Sequence, residues 1–164
     1  MNLYIKQKVF SWKDRFSIFD ENQNIVYTAE SEFLSLGKKL HVYDSMNREA
    51  AFIRQKLLSF LPKYYVCRND VEIAEVVKRF TLFKPAFDVN GLGWNVSGDF
   101  WAHEYSITAG TRVVAAISKR WLTWGDTYEI SISDPADAVN VLCVVLIIDA
   151  IKSDSDTAAT SASY

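Results

Sequence analysis

Histidine and cysteine are scarce in this chain: His41, His103, Cys67 and Cys143 are all that 164 residues hold. Two cysteines make neither a zinc cluster nor a disulfide framework, and Cys143 lies in the most apolar stretch of the sequence. A nucleophile elbow, a phosphate loop and a metal-spaced ligand set are all missing, so nothing points to an enzyme, and neither metal nor cofactor is expected. Excess charge of one sign is missing as well. The 18 Lys and Arg against 20 Asp and Glu leave a net charge of −2, which argues against nucleic acid as a partner. No basic-then-apolar leader opens the chain, because Met1 to Lys6 already reads as a polar-punctuated strand; a cytoplasmic location is expected rather than secretion.

What is present is globular. Hydrophobic residues make up 49% and charged residues 23%, enough apolar material for one sizeable core. Most of the chain alternates with a period of two, most clearly in Tyr128-Glu129-Ile130-Ser131-Ile132-Ser133. Strict alternation buries one face and wets the other, as in an antiparallel sheet. The breaks carry turn chemistry: Asn22-Gln23-Asn24, Ser45-Met46-Asn47, Asn69-Asp70, Asn90-Gly91, Ser97-Gly98-Asp99 and Ala109-Gly110. A unit also repeats. Phe10 to Asp20, Leu34 to Asp44 and Leu122 to Ile132 each show an apolar-hydroxyl-apolar step, a polar corner and an alternating strand, with a looser copy at Phe80 to Asp88. Asp20 and Asp44 end two copies and open the turns that follow. Repeated hairpins suit a sheet that closes and leaves no bare edge.

One segment breaks the period. Residues 138–151 contain Val141, Leu142, Val144, Val145, Leu146, Ile147 and Ile148 and are apolar almost all round. Their β-branched content fits a buried strand too, but Asp134-Pro135-Ala136-Asp137 supplies a helix cap, a first-turn proline and a carboxylate against the dipole. The spacing therefore predicts a helix. At ~1.5 Å per residue it covers about 21 Å, short of the roughly 30 Å hydrocarbon core of a bilayer, so it is not expected to span one. A helix apolar on every side and too short to span belongs inside protein. Residues 153–164, small and polar, read as a disordered tail behind a single domain of residues 1–152.

Taken together, several segments resemble the LURP-one-related family. They are Phe10 to Phe16, Phe33 to Leu40, Ser97 to Ile107, Ile117 to Trp121, Gly125 to Ile130 and Val145 to Ile151, in that order. The resemblance covers essentially residues 1–152 and implies the fold shared with the tubby C-terminal domain and the phospholipid scramblases. The implied class is α+β but mostly β: a closed antiparallel barrel of about twelve strands around a central C-terminal helix. It also implies a non-enzymatic binding or adaptor module, with an anionic phospholipid surface (phosphoinositide-like head groups) or a protein as partner. The scramblases' cysteine cluster and spanning helix are missing here, which speaks against scramblase activity. The alternative is a carrier or sensor of a small apolar ligand held in the barrel.

Four residues make the candidate anion or lipid site: Lys119 and Arg120 beside Trp121 and Trp124, cations and aromatics suited to a head group at a membrane surface. The competing reading is a solvated loop with its tryptophans packed on the rim. Residues 1–133 carry 17 Lys and Arg against 15 Asp and Glu, and residues 134–164 one Lys against five Asp, so the shell is mildly basic. His103-Glu104 reads as a strand-edge surface patch, since neighbours on a strand face opposite ways, and His41 as outward-facing between Leu40 and Val42. Asp149, inside the apolar helix, either lies at the barrel exit near water or pairs with an inward arginine that fixes the helix register.

Overall fold

The alternating stretches are strands. The structure, a computed structural model, describes residues 1–6, 15–32, 34–79, 86–122 and 125–161. Among them twelve strands follow in chain order: β1 Asn2–Lys6, β2 Phe16–Phe19, β3 Ile25–Ser31, β4 Lys39–Asp44, β5 Glu49–Gln55 and β6 Lys63–Arg68. Then come β7 Val71–Arg79, β8 Ala86–Asn90, β9 Trp94–Asp99, β10 Glu104–Ala109, β11 Arg112–Leu122 and β12 Gly125–Ile132. Every strand pairs antiparallel with its sequence neighbours, and β1 also pairs with β12 from Asn2↔Ser131 to Lys6↔Thr127, which closes the barrel. The Met1 amine and carbonyl bracket Ile132 at 3.0 and 2.8 Å and extend that seam.

Local chemistry explains the corners. Asp20 Oδ1 accepts from the backbone of Asn22 and Asn24 at 2.9 and 2.8 Å, and Asp44 Oδ1 from Met46 and Arg48 at 2.9 and 3.0 Å. These are the two repeat-ending aspartates, and each folds its own turn as expected. Asn69 and Asp70, at φ +49° and +62°, make the tight two-residue hairpin between β6 and β7. Ser97-Gly98-Asp99 departs from expectation, because it completes β9 and the turn follows at residues 100–103. Gly98 sits opposite Tyr105 at φ +140°, where an added Cβ would stand 2.5 Å from the Tyr105 Cα. The glycine there makes room for an inward tyrosine and is not a corner.

Inward side chains such as Leu3, Ile18, Val42, Ile53, Val76, Val96, Ile107 and Ile130 are wholly buried, and what they bury against is the helix. Asp134 caps it, accepting from Ala136 at 2.9 Å, and Pro135–Asp137 form one 3-10 turn. The α-helix, α1, runs from Ala138 to Ser161. Every residue from Val141 to Ile151 is buried, so no face of this stretch meets solvent. Burial of each branched aliphatic side chain stabilises the fold by roughly 2 kcal/mol, which makes the helix the main apolar filling of the barrel. No helix of the described residues is long and apolar enough to cross a membrane.

The tail expectation needs correction. α1 does not stop at Ile151 but continues through Ser161, inside the stretch 153–164 read as disordered; residues 162–164 lie outside the described residues. Two contacts explain the continuation. Ser155 Oγ donates to Ile151 O at 3.0 Å, which satisfies a polar side chain without leaving the helix, and Asp154 pairs with Lys38. Ala158 and Ala159 are in addition strong helix formers. Polarity marks the point where the helix leaves its enclosure, not where it ends.

The filled interior has a measurable signature. Tyr64, Tyr105 and Tyr128 are buried, and burial, helped by the carboxylates of Asp154 or Asp149, raises each phenol above its ordinary value of 10.0. Burial likewise pushes the Cys143 thiol up to about 12. The folded chain keeps these protons where the unfolded chain loses them. Their contribution is therefore complete below about pH 9 and is withdrawn as pH climbs through and beyond the unfolded values. Urea midpoints are expected to hold steady up to about pH 9 and then fall, by up to about 4 kcal/mol of stability per pH unit when three phenols titrate together. Tyr105→Phe should make that slope shallower by about one proton; an unchanged slope would place Tyr105 outside the titrating set.

Candidate functional site

Two regions gather the functional side chains. The first is internal. Asp149 is only 5% exposed, and its partner is not an arginine. Tyr128 donates its hydroxyl to Asp149 Oδ2, and His103 Nε2 stands 3.3 Å from Oδ1, in ion-pair range though not aligned as a hydrogen bond. The His103 and Tyr128 rings stack at 4.4 Å and 11°. Both sequence readings of Asp149 therefore give way: it is not at the exit near water, and it is anchored by an imidazole and a phenol.

His103 reaches that position because it does not belong to a strand. It closes the β9–β10 turn at φ +54°, with its amide 3.4 Å from Phe100 O, while Asp99 Oδ1 accepts from Ala102 at 3.0 Å. The left-handed backbone swings the ring inward to 5% exposure, and the surface-patch reading of His103-Glu104 fails for His103. Glu104 begins β10, stays exposed and accepts from the Lys119 amide at 3.0 Å. Strand alternation, the rule that set His103 outside, does not govern a turn. His41 does lie on the outer face, between Glu49 at 2.6 Å and Glu32 at 3.0 Å. Partial burial pulls its imidazole down, but the two carboxylates outweigh that and hold it above 6.5.

The second region is the end of the barrel where α1 emerges. Lys152 Nζ donates to Trp101 O at 3.0 Å on one side of the exit, and Lys38 pairs with Asp154 on another. Strand direction places most of the described charges toward one end or the other. Twelve of the fifteen described Lys and Arg stand on the loops and strand halves of the helix-exit end; Arg48, Arg68 and Arg112 stand at the far end. There they meet Asp20, Glu21, Asp44, Glu49, Asp70, Glu72, Asp134 and Asp137. The other eleven described Asp and Glu, among them Glu30, Glu32, Asp99, Glu104, Glu129 and Asp154, lie with the twelve cations or midway along strands, so the shell is net acidic at the far end and close to balance at the exit end.

Lys119 and Arg120 belong to the helix-exit end, near the top of β11, and both are exposed. They do not share a face. Lys119 continues the inward row of Ala115 and Ile117 and is registered against Tyr128, whereas Arg120 points outward, where its Nε donates to Glu129 Oε2 at 2.6 Å. Thr127 Oγ1 donates to Arg120 O at 3.2 Å and fixes the backbone there. Trp121 lies on β11, and Trp124 lies outside the described residues. The structure therefore brings Lys119 and Arg120 to one end but not into one cluster.

Replacing Asp149 tests the internal anchor. Asp149→Ala leaves the buried Tyr128 phenol without its acceptor and removes the carboxyl group beside His103, and the expected loss is about 3 kcal/mol, a drop in Tm on the order of 10 °C. Asp149→Asn keeps an acceptor for the Tyr128 hydroxyl and should cost less. Combined with His103→Phe in a double-mutant cycle, Asp149→Ala should show a coupling of about 1 kcal/mol or more; additive losses would mean that the two side chains do not interact.

This architecture has relatives. A solved protein structure from Arabidopsis thaliana superposes with a TM-score of 0.68 over 92% of this chain and 90% of its own, at 16% identity, a likeness of fold alone. The Bacillus subtilis (strain 168) protein YxjI, itself an uncharacterized protein, is 36% identical over 151 residues, covering 92% of this chain and 93% of the relative. The LURP-one-related family model matches residues 1–149, from the first strand to the buried aspartate of the helix. By the match along its length and by its barrel around a buried helix, the chain belongs to the LURP-one-related family.

Proposed function

We propose that this protein is a non-enzymatic binding module whose helix-exit end engages anionic phospholipid surfaces. The distribution of charge along the barrel axis carries the reading: twelve described cations stand at the exit end, with the remaining eleven carboxylates there or midway along strands, whereas the far end holds eight carboxylates around three arginines. A shell of that kind orients the molecule on a negative surface with the acidic far end turned away and the exit end down, even though its net charge is −2. Each basic residue held near such a surface contributes about 1 kcal/mol, so no single pocket is required and the attachment is peripheral. His103, Asp149 and Tyr128, the buried acid–base group among the described residues, support a non-catalytic reading, since they are buried against the helix and engaged with one another. The carrier alternative has less behind it, because the helix itself occupies the middle of the barrel.

Co-sedimentation with phosphatidylcholine vesicles, with and without phosphatidylserine, tests this. Binding is expected only with the anionic lipid and is expected to fade as salt shortens the screening length below about 8 Å. Lys119→Ala with Arg120→Ala should weaken it by about 1 kcal/mol per charge, roughly fivefold each, at low salt. Arg48→Ala, which removes the same kind of charge from the acidic end, should leave it unchanged. Equal losses at the two ends would reduce the effect to net charge and defeat the oriented reading.

A further inference from the structure

We infer that two apolar-tipped loops at the helix-exit end, β3–β4 and β5–β6, insert into the bilayer interface and convert electrostatic contact into anchorage. The inference deepens the lipid-surface reading and rests on it. Of the large hydrophobic side chains left exposed among the described residues, the four most exposed all lie on these loops: Leu34 at 93%, Leu36 at 85%, and Leu58 and Phe60 at full exposure. The loops form one feature. Lys38 donates its amide to Gln55 Oε1 at 3.0 Å and accepts at its carbonyl from the Gln55 amide at 2.8 Å, and an added Cβ on Gly37 would stand 2.7 Å from Leu57 Cδ2.

Nothing in the fold asks for these residues. Leu58 holds φ +55°, a left-handed conformation that asparagine or glycine adopts at less cost, and its side chain meets no core. Leu34 and Leu36 are the apolar positions of the repeat's opening step, but Leu58 and Phe60 belong to no repeat, and the loops at the far end are mostly polar, as in Asn22-Gln23-Asn24 and Asn69-Asp70, with Met46 at 70% exposure the exception. An aliphatic side chain on a protruding tip is removed from water only by something that envelops it.

The surrounding charges identify that occupant. Lys38, Lys39, Lys56 and Lys63 ring the tips. Lys38 and Lys39 make exposed pairs with Asp154 and Glu32, Lys63 makes a partly buried one with Glu75, and Lys56 lies over the Tyr65 ring at 6.0 Å. Exposed ion pairs of this kind are weak and exchange readily for lipid phosphates. Apolar tips inside a cationic ring match the layered chemistry of an anionic bilayer, hydrocarbon within and phosphate without. Trp101, half exposed at the same end beneath the Lys152 ammonium at 5.8 Å, is the residue type that settles at that boundary.

The test separates insertion from surface attraction. In the full chain, Leu58→Ser with Phe60→Ser changes no charge, and since both side chains are fully exposed the thermal melt should not move. Partitioning onto phosphatidylserine–phosphatidylcholine vesicles is expected to fall at least tenfold, and the bound fraction that resists high salt should disappear. A solvent-sensitive fluorophore attached through Phe60→Cys reads depth directly, as Cys67 and Cys143 are both buried. Its emission should shift to the blue on the vesicles and be quenched by lipids brominated along the acyl chain. Salt-sensitive binding that survives the serine variant, with no quenching, overturns insertion and leaves the electrostatic reading standing. Absence of vesicle binding by the unaltered chain overturns both. A blue shift that grows with protein concentration in the absence of lipid assigns the tips to self-association, and that too defeats the proposal.

Discussion

An apolar helix and a ring of half-apolar strands each have the same defect, a surface that water will not accept, and each removes the other's. Val141 to Ile151 has no polar stripe to offer solvent, and the strands turn Leu3, Ile18, Val42, Ile53, Val96 and Ile130 toward a centre that must be filled. Everything else follows from that mutual burial. The seam between β1 and β12 has to close, because an open sheet would leave one side of the helix wet. The helix has to enter at one end and leave at the other, which gives the molecule an axis and two unlike poles.

Among the described residues Asp149 is the carboxyl side chain inside the barrel, and its surroundings explain why. A carboxylate in an apolar channel is costly unless it is met by donors, and Asp149 meets the hydroxyl of Tyr128 and the ring of His103. Those partners come from β12 and from the β9–β10 turn, so the contact ties the helix to two separate parts of the wall. Sliding the helix by one residue would present the carboxylate to aliphatic neighbours. The apolar contacts hold the helix in place; this polar one sets how far along the channel it sits.

Axial polarity has consequences outside as well. Antiparallel pairing sends alternate turns to opposite ends, so residues far apart in sequence, Trp101 with Lys152 and Lys38 with Asp154, meet at the exit. The same pairing keeps Lys119 and Arg120, adjacent in sequence, on opposite faces, with Arg120 held by Glu129. A surface built this way is assembled from loop tips and not from any continuous motif. Its exposed leucines and phenylalanine, unexplained by packing, belong to that assembled pole.

The sequence by itself determined the strands, the turns at Asp20, Asp44 and Asn69-Asp70, the start of the helix at Asp134 and the helix's enclosure. These depend on local rules: alternation, capping, and the cost of exposing an apolar run. Only the tertiary structure decided three further things. It carried α1 to Ser161, because Lys38 and the exit support a polar turn that composition alone would leave unfolded. It brought His103 inside, because a left-handed turn and not a strand aims that ring. It also gathered most of the described cations at one end of the barrel and left the other end net acidic. Charges and burial belong to whole ends of the barrel, and which residues share an end is fixed by chain reversal and closure, contacts that no local window of sequence contains.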